Sequence, residues 1–264
     1  MNTQAMPFNQ LVKTRYGHML VNKNDVYIGR SFILYGEISE EENHIYREIC
    51  KEGDVVVEVG ANIGAHTLPI SSFIGTEGKL FCYEPQRIVF QTLNANLALN
   101  SITNTRTFQA GVGEKNGFIV VPEIDYASQG NFGGVSLHKH QKGENVHLFT
   151  LDTHLKLSSL KLLKIDVEGM EIDVLKGAKE TIALHQPIIY CENDRKDKAE
   201  ELVRLLWSYG YEVYWHLPKL YNKDNYNQND TDIFQNIVSK NLFCLPAKAK
   251  IYMKNTIKLE KINK

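Results

Sequence analysis

Short unbroken apolar blocks alternate along this chain with longer stretches in which apolar residues return every third or fourth position. The blocks Val55-Val56-Val57, Leu80-Phe81-Cys82-Tyr83, Leu160 to Val167, Pro187 to Cys191, Tyr211 to Trp215 and Asn241 to Leu245 read as buried strands. Thr105 to Val112 and Phe118 to Val121 add two more. Helical spacing follows the glycines after Val59 (Leu68, Ile70, Phe73) and recurs over Gln86 to Asn100, Met170 to Leu184 and Lys196 to Trp207, the last capped by Asn193 or Asp194. Strand and helix in alternation predict an α/β fold: a mostly parallel, doubly wound sheet.

Three stretches stand outside that alternation. Residues 1–50 carry the short apolar pieces Met19 to Val21, Val26 to Ile28 and Phe32 to Tyr35, read as small strands of an N-terminal β-rich cap. A helix closes the cap, opened by a Ser39/Glu42 capping box and carrying Ile45, Tyr46 and Ile49. Pro122 to Asn145 is polar, glycine-rich and aperiodic, and a loop that long inside a compact domain is more often functional than idle. The tail, 247–264, interleaves lysines with Ile251, Met253, Ile257 and Leu259, which suits either a frayed end or a contact with an anionic surface. Residues 51–246 are left as the principal domain.

Composition narrows the classes. With 264 residues, 43% of them apolar, the chain can bury a sizeable core, and a net charge of −1 supplies no basic field for nucleic acid. Cys50, Cys82, Cys191 and Cys244 lack paired spacing, as expected of buried free thiols in a reducing cytoplasm. No apolar run is long enough to span a bilayer, so no integral membrane association is expected. His138 and His140 have no further ligand at metal-site spacing, so no metal is expected. Homo-oligomerisation stays open.

The chemistry centres on Glu58-Val59-Gly60-Ala61-Asn62-Ile63-Gly64, between the leading strand and its helix. A glycine-rich turn there sets a helix N-terminus beside the ligand space above the strand. Glu84, ending the next strand roughly 20 residues on, can take both hydroxyls of an adenosine ribose. A dinucleotide fingerprint would need glycines where Asn62 and Ala65 stand, so S-adenosylmethionine is the better ligand. Gly60, Ala61 and Gly64 give close backbone approach, Glu58 and Asn62 face the methionine end, and Pro85 and Val112 lie toward the adenine. Asp166, Glu168 and Glu192 sit at the carboxyl ends of neighbouring strands, where ligands of parallel sheets bind. Asp166, adjoining both ligands, is the first choice of general base for an acceptor hydroxyl, Glu192 the second and His216 the third. Asn131, Glu168 and Asn193 are the candidate acceptor contacts.

With these residues in view the chain resembles the FkbM family of S-adenosylmethionine-dependent methyltransferases. The similarity runs through Tyr27 to Ser31, Val59 to Thr67, Tyr83-Glu84-Pro85, Gly130 to Leu137, Lys164-Ile165-Asp166-Val167-Glu168-Gly169 and Tyr190 to Asn193. The resemblance implies a Rossmann-like sheet of about seven strands with an antiparallel last pair. It also implies methylation of hydroxyl oxygens on sugars, glycans or secondary metabolites. An amine or peptide acceptor, a nucleotide-sugar or nicotinamide enzyme on a similar sheet, and a catalytically silent binding domain remain as alternatives.

Overall fold

The computed structural model describes residues 8–137, 140–235, 237–249 and 260–263. The chain opens with a hairpin, β1 (Asn9–Thr14) and β2 (Gly17–Asn22), followed by helices α1 (Ile28–Tyr35) and α2 (Glu40–Ile49). Then come β3 (Val55–Val59), α3 (Thr67–Phe73), β4 (Lys79–Tyr83), α4 (Arg87–Leu99) and β5 (Thr105–Phe108). A side sheet follows from β6 (Gly111–Val112), β7 (Gly117–Val121) and β8 (Glu144–Phe149). The second half comprises α5 (Leu151–His154), β9 (Leu162–Ile165), α6 (Glu171–Lys176), α7 (Lys179–His185), β10 (Ile188–Glu192), α8 (Ala199–Ser208), β11 (Tyr211–His216), β12 (Asn241–Pro246) and β13 (Glu260–Ile262).

The main sheet has eight strands in the order β13-β11-β12-β10-β9-β3-β4-β5. Its neighbours from β10 to β5 pair in parallel, while β12 runs antiparallel to both β10 and β11, and β13 antiparallel to β11. The sheet is therefore α/β and mixed rather than wholly parallel. Alternate residues of each central strand enter different cores. Val56, Leu80, Leu162 and Tyr190 pack with residues of α2, α3 and α4, whereas Val57, Leu163 and Ile189 pack with residues of α6, α7 and α8. Burial on both faces explains why these strands read as unbroken apolar runs.

Several sequence expectations are corrected. Phe32 to Tyr35 is not a strand. Asp25 Oδ1 accepts the N–H groups of Tyr27 and Ile28 at 2.9 Å each, which starts α1, and Gly36 at φ 68° ends it. A short apolar run carries no decisive period, and the end signals settle this one. The Ser39/Glu42 capping box does not form: Ser39 is left-handed at φ 46° and makes no side-chain cap bond. The expected third strand, Thr105 to Val112, leaves the main sheet after Phe108, and Gly111–Val112 pairs with β8 instead. The expected helix from Met170 to Leu184 is broken at Gly177, where a Cβ would stand 1.9 Å from the Gly113 carbonyl oxygen. Neither Asn193 nor Asp194 caps α8, which starts at Ala199. Residues 260–262 of the expected tail add the eighth strand.

The hairpin is not a separate body. Met19 and Val21 enter the core beneath β3 and β4, and Asn96 of α4 bonds both the N–H and the carbonyl of Leu20. All four cysteines are free and buried. No helix among the described residues is long and apolar enough to cross a membrane.

Candidate active site

The parallel strands deliver their carboxyl ends to one edge of the sheet, and a cleft opens there. A slot of about 50 Å³ is lined by Pro85, Ala110, Val112, Val135 and Leu137. A chamber of about 490 Å³ lies beside it, lined by Glu42, Glu58, Ala61, Asn62, Lys164 and Glu192 among others. Gly60, Glu84, Gly133, Asp166 and Glu168 line both, so the two spaces adjoin.

Gly60 is fixed by its neighbour as much as by any ligand. It holds φ 85°, and a Cβ would stand 1.7 Å from the Asp166 carbonyl oxygen. Gly64 plays a different part from the one its spacing suggests. It does not line the cleft, and a Cβ there would meet Leu93 at 3.0 Å and Leu68 at 3.2 Å. Its work is to let the turn approach α4. Asn62, left-handed at φ 50°, donates its N–H to Glu84 Oε2 at 3.0 Å, and Gln86 N–H reaches Glu84 Oε1 at 2.8 Å. Glu84 is thus held at the junction of slot and chamber, and each carboxylate oxygen keeps a further lone pair. Burial pushes it up to about 7 despite those two bonds.

Lys164 stands in the middle of β9, 2% exposed, with Nζ 3.5 Å from both Glu58 Oε1 and Asp166 Oδ2. Burial pulls its ammonium down, but Asp166, Glu58 and Glu42 together raise it further than burial lowers it. Glu58 is equally buried, takes a 2.7 Å bond from Thr67 Oγ1, and is pushed up by burial against the pull of Lys164. Glu42 rises to about 7, again through burial. His66, which also lines the chamber, is 3.0 Å from Asn43 Oδ1 through Nδ1, and burial, with Lys164 nearby, holds it well below the ordinary imidazole range.

Asp166, Glu168 and Glu192 each bring a carboxylate oxygen within 4.8 Å of the others. Burial and then Asp166 push both glutamates up, while Arg195, 2.5 Å from Glu168 Oε2, opposes the rise in Glu168. Glu192 Oε2 is buried and has no hydrogen-bond partner. Such a trio can share a proton, accept one from a bound hydroxyl, or face a cation. Glu168, at φ 56°, does not cap α6, which has no side-chain cap; Glu171, its first residue, accepts the Gly169 N–H of the preceding turn at 2.9 Å.

Other expected site residues divide between the cleft and the core. Asn131 lines the chamber. Asn193 does not line it, and its buried Nδ2 has no partner. His216, the third candidate base, is also absent from the lining; it is 4% exposed, with Nδ1 2.7 Å from the Tyr190 hydroxyl. Burial lowers it to about 4. His138 lies outside the described residues, and His140 contacts the Ser136 carbonyl. Sequence reasoning gave Glu42 only a helix-capping part and assigned no site role to His66 or Lys164. A lysine inside the apolar run from Leu160 to Val167 was the available signal, since a fully buried ammonium requires acidic partners.

The sequence pattern of the family described as Methyltransferase FkbM domain matches residues 58–213, more than half of the chain. The chain belongs to the FkbM methyltransferase family. It is 25% identical over 205 residues to Methyltransferase sdnD of Sordaria araneosa, covering 61% of this chain and 79% of that protein. Methyltransferase 1 of Beauveria bassiana is 26% identical over 143 residues, covering 46% of this chain and 57% of its own. The crystal structure of an FkbM methyltransferase from Methylobacillus flagellatus KT superposes with a TM-score of 0.51 at 17% identity. That alignment covers 76% of this chain and half of the other, and shows a shared fold. The FkbM chain is accordingly an S-adenosylmethionine-dependent methyltransferase. Its cleft fits that cofactor: an apolar slot adjoins an acidic chamber, and the anchored Glu84 carboxylate stands between them.

Proposed function

We propose that this FkbM domain methylates a hydroxyl oxygen of a sugar, glycan or hydroxylated secondary metabolite, on a Rossmann-like doubly wound sheet. The observation that carries the reading is Asp166, a half-buried carboxylate that lines both the slot and the chamber, 3.5 Å from a buried ammonium. S-adenosylmethionine supplies an electrophilic methyl group when bound. Glu84 takes the ribose hydroxyls, Pro85 and Val112 flank the adenine, and Gly60, Ala61 and Asn62 receive the methionine end. Glu58 acts on that end through its ion pair with Lys164.

An alcohol is a poor nucleophile while protonated. Asp166 accepts the acceptor's hydroxyl proton on Oδ, a contribution of roughly 10²- to 10⁴-fold in rate. Lys164 holds that carboxylate in place, and Glu168 and Asn131 orient the acceptor. Glu192, with its unpartnered Oε2, is the alternative, but burial and Asp166 push it up to about 10, so it must give up its own proton before it can accept one. The acidic excess favours a second reading, in which the acceptor is a small amine or peptide and the carboxylates hold its ammonium before transfer. Four free buried thiols support a cytoplasmic setting.

Incubation with methyl-labelled cofactor and a panel of glycans, lipid-linked sugars, hydroxylated metabolites and amines tests the reading. A mass gain of one methyl on a hydroxyl compound is expected. Transfer confined to amines would replace the first reading by the second.

A further inference from the structure

The chamber has two unlike sides. Its floor is the carboxylate edge of the sheet, but its wall carries an apolar patch, Tyr27, Ile28, Ile38, Leu220, Ile237 and Val238, beside Ser39, Ser239 and Lys240. Ile237 and Val238 are 44% and 36% exposed, unlike the aliphatic residues of the parallel strands, which are buried. They are not on a frayed segment. Ile237 donates its N–H to the Phe234 carbonyl at 2.9 Å, Leu220 donates to the Ile237 carbonyl at 3.2 Å, and Val238 bridges Lys219. Phe234 is buried and stacks on Tyr27 at 6.2 Å and 9°. An ordered backbone therefore holds two adjacent aliphatic side chains in water at the mouth of a chamber whose far side is acidic. Their hydration is unfavourable until something apolar covers them.

We infer that the methyl acceptor is an amphiphile, with its hydroxyl end at Asp166 and an apolar body against Tyr27, Ile28, Ile38, Leu220, Ile237 and Val238. This rests on the methyltransferase reading of the cleft and names the acceptor's chemistry within it. A freely soluble, uniformly polar sugar would leave Ile237 and Val238 uncovered. An alkyl, aryl or lipid-linked hydroxyl compound covers them while its head reaches the floor.

A ladder of 1-alkanols from ethanol to octanol, titrated into protein saturated with S-adenosylhomocysteine and followed by ligand-observed NMR, tests this. Affinity should rise roughly fourfold per added methylene until the wall is covered. Ile237→Asn with Val238→Asn, both at exposed positions, should weaken octanol binding about tenfold, leaving ethanol and S-adenosylhomocysteine binding unchanged. A flat ladder overturns the inference, as does a ladder that the double variant leaves intact, because the tail then lies elsewhere. Calorimetry on ligand-free wild type and double variant reports S-adenosylhomocysteine separately. Normal cofactor binding with a flat ladder removes only the amphiphile, whereas failure to bind S-adenosylhomocysteine removes the reading of the cleft and this inference with it.

Discussion

The slot and the chamber share the Asp166 edge of the sheet yet differ in nearly everything else. The slot is narrow, apolar and shaped in part by backbone at Gly60 and Gly111, so its form follows from strand ends and glycine turns. The chamber is roughly tenfold larger, about 490 against 50 Å³, and draws its walls from Ile28 of α1, Glu42 of α2, Asn131, Gly133, Gly134, Leu220 and residues 237–240 among others. Part of the slot lies beside the Glu58 to Gly64 turn, but Ile119, Gly133, Val135, Leu137 and Met170 reach it from elsewhere in the chain. The chamber depends still more on segments that come together only in the folded chain. Under the function proposed above, the adenine occupies the first, while the methionine end and the individual acceptor share the second.

The largest expected effect separates the two spaces at the residue they share. Asp166→Asn keeps the shape and removes the proton acceptor, so turnover on an identified acceptor should fall by ~10²-fold or more. The dissociation constant of S-adenosylhomocysteine should stay within about threefold of wild type, since a bond lost only in catalysis does not affect the ground state. Loss of both together would turn Asp166 into a cofactor contact and move the base to Glu192. The next effect lies wholly on the cofactor side. Glu84→Ala should raise the dissociation constant about tenfold or more, because charge-assisted hydrogen bonds contribute ~1.5 to 3 kcal/mol. Calorimetry with S-adenosylhomocysteine reads this directly, and an unchanged constant would show that Glu84 serves only the Asn62 and Gln86 amides.

The same contrast explains what the sequence disclosed. The valine strand, the Gly60 turn and Glu84 lie within one local unit, and their spacing was enough to bring the anchored carboxylate beside the turn. Asp166, Glu168 and Glu192 were legible as acids ending neighbouring apolar strands, and their carboxylates do converge. Glu42 and His66 were not legible. One belongs to a cap helix and the other to the start of α3, and only the packing of α2 against α3 sets His66 Nε2 3.6 Å from Glu42 Oε2. His216 shows the opposite error. It closes a strand just before a loop, as a site residue would, but β11 lies beyond β12 and its imidazole turns to Tyr190 instead. α1 was missed because its apolar blocks are too short to show a period, although Asp25 and Gly36 carried its ends.

The chamber's buried acids should also set the pH dependence of stability. Glu42 and Glu84 are each pushed by burial from 4.5 to about 7. Below pH 4.5 both are protonated whether the chain is folded or not. Between 4.5 and about 7 the unfolded chain has released protons that the folded chain still holds, so stability falls as pH rises through that window. Thermal melts of ligand-free protein should therefore drop between pH 5 and pH 8. Glu42→Gln should remove part of the slope, about 2 kcal/mol or ~4 to 8 °C at the alkaline end. An identical slope in the variant would assign the titration to other groups.

The smallest effect on the site itself is expected at Gly64, although the residue belongs to the same turn as Gly60. The two glycines share a positive φ, 85° and 93°, but their missing Cβ atoms face different things. At Gly60 the obstacle is the rigid Asp166 carbonyl in the floor of the cleft. At Gly64 it is the methyl ends of Leu93 and Leu68, which can yield by a few tenths of an ångström. Gly64→Ala should then cost about 1 to 2 kcal/mol in chemical denaturation, through left-handed strain and tighter packing. Affinity for S-adenosylhomocysteine should stay within about twofold, because no cleft-lining atom has to move and that shift is worth less than half a kcal/mol. A tenfold loss of affinity with unchanged stability would put Gly64 back beside the cofactor and extend the slot into the turn that precedes α3.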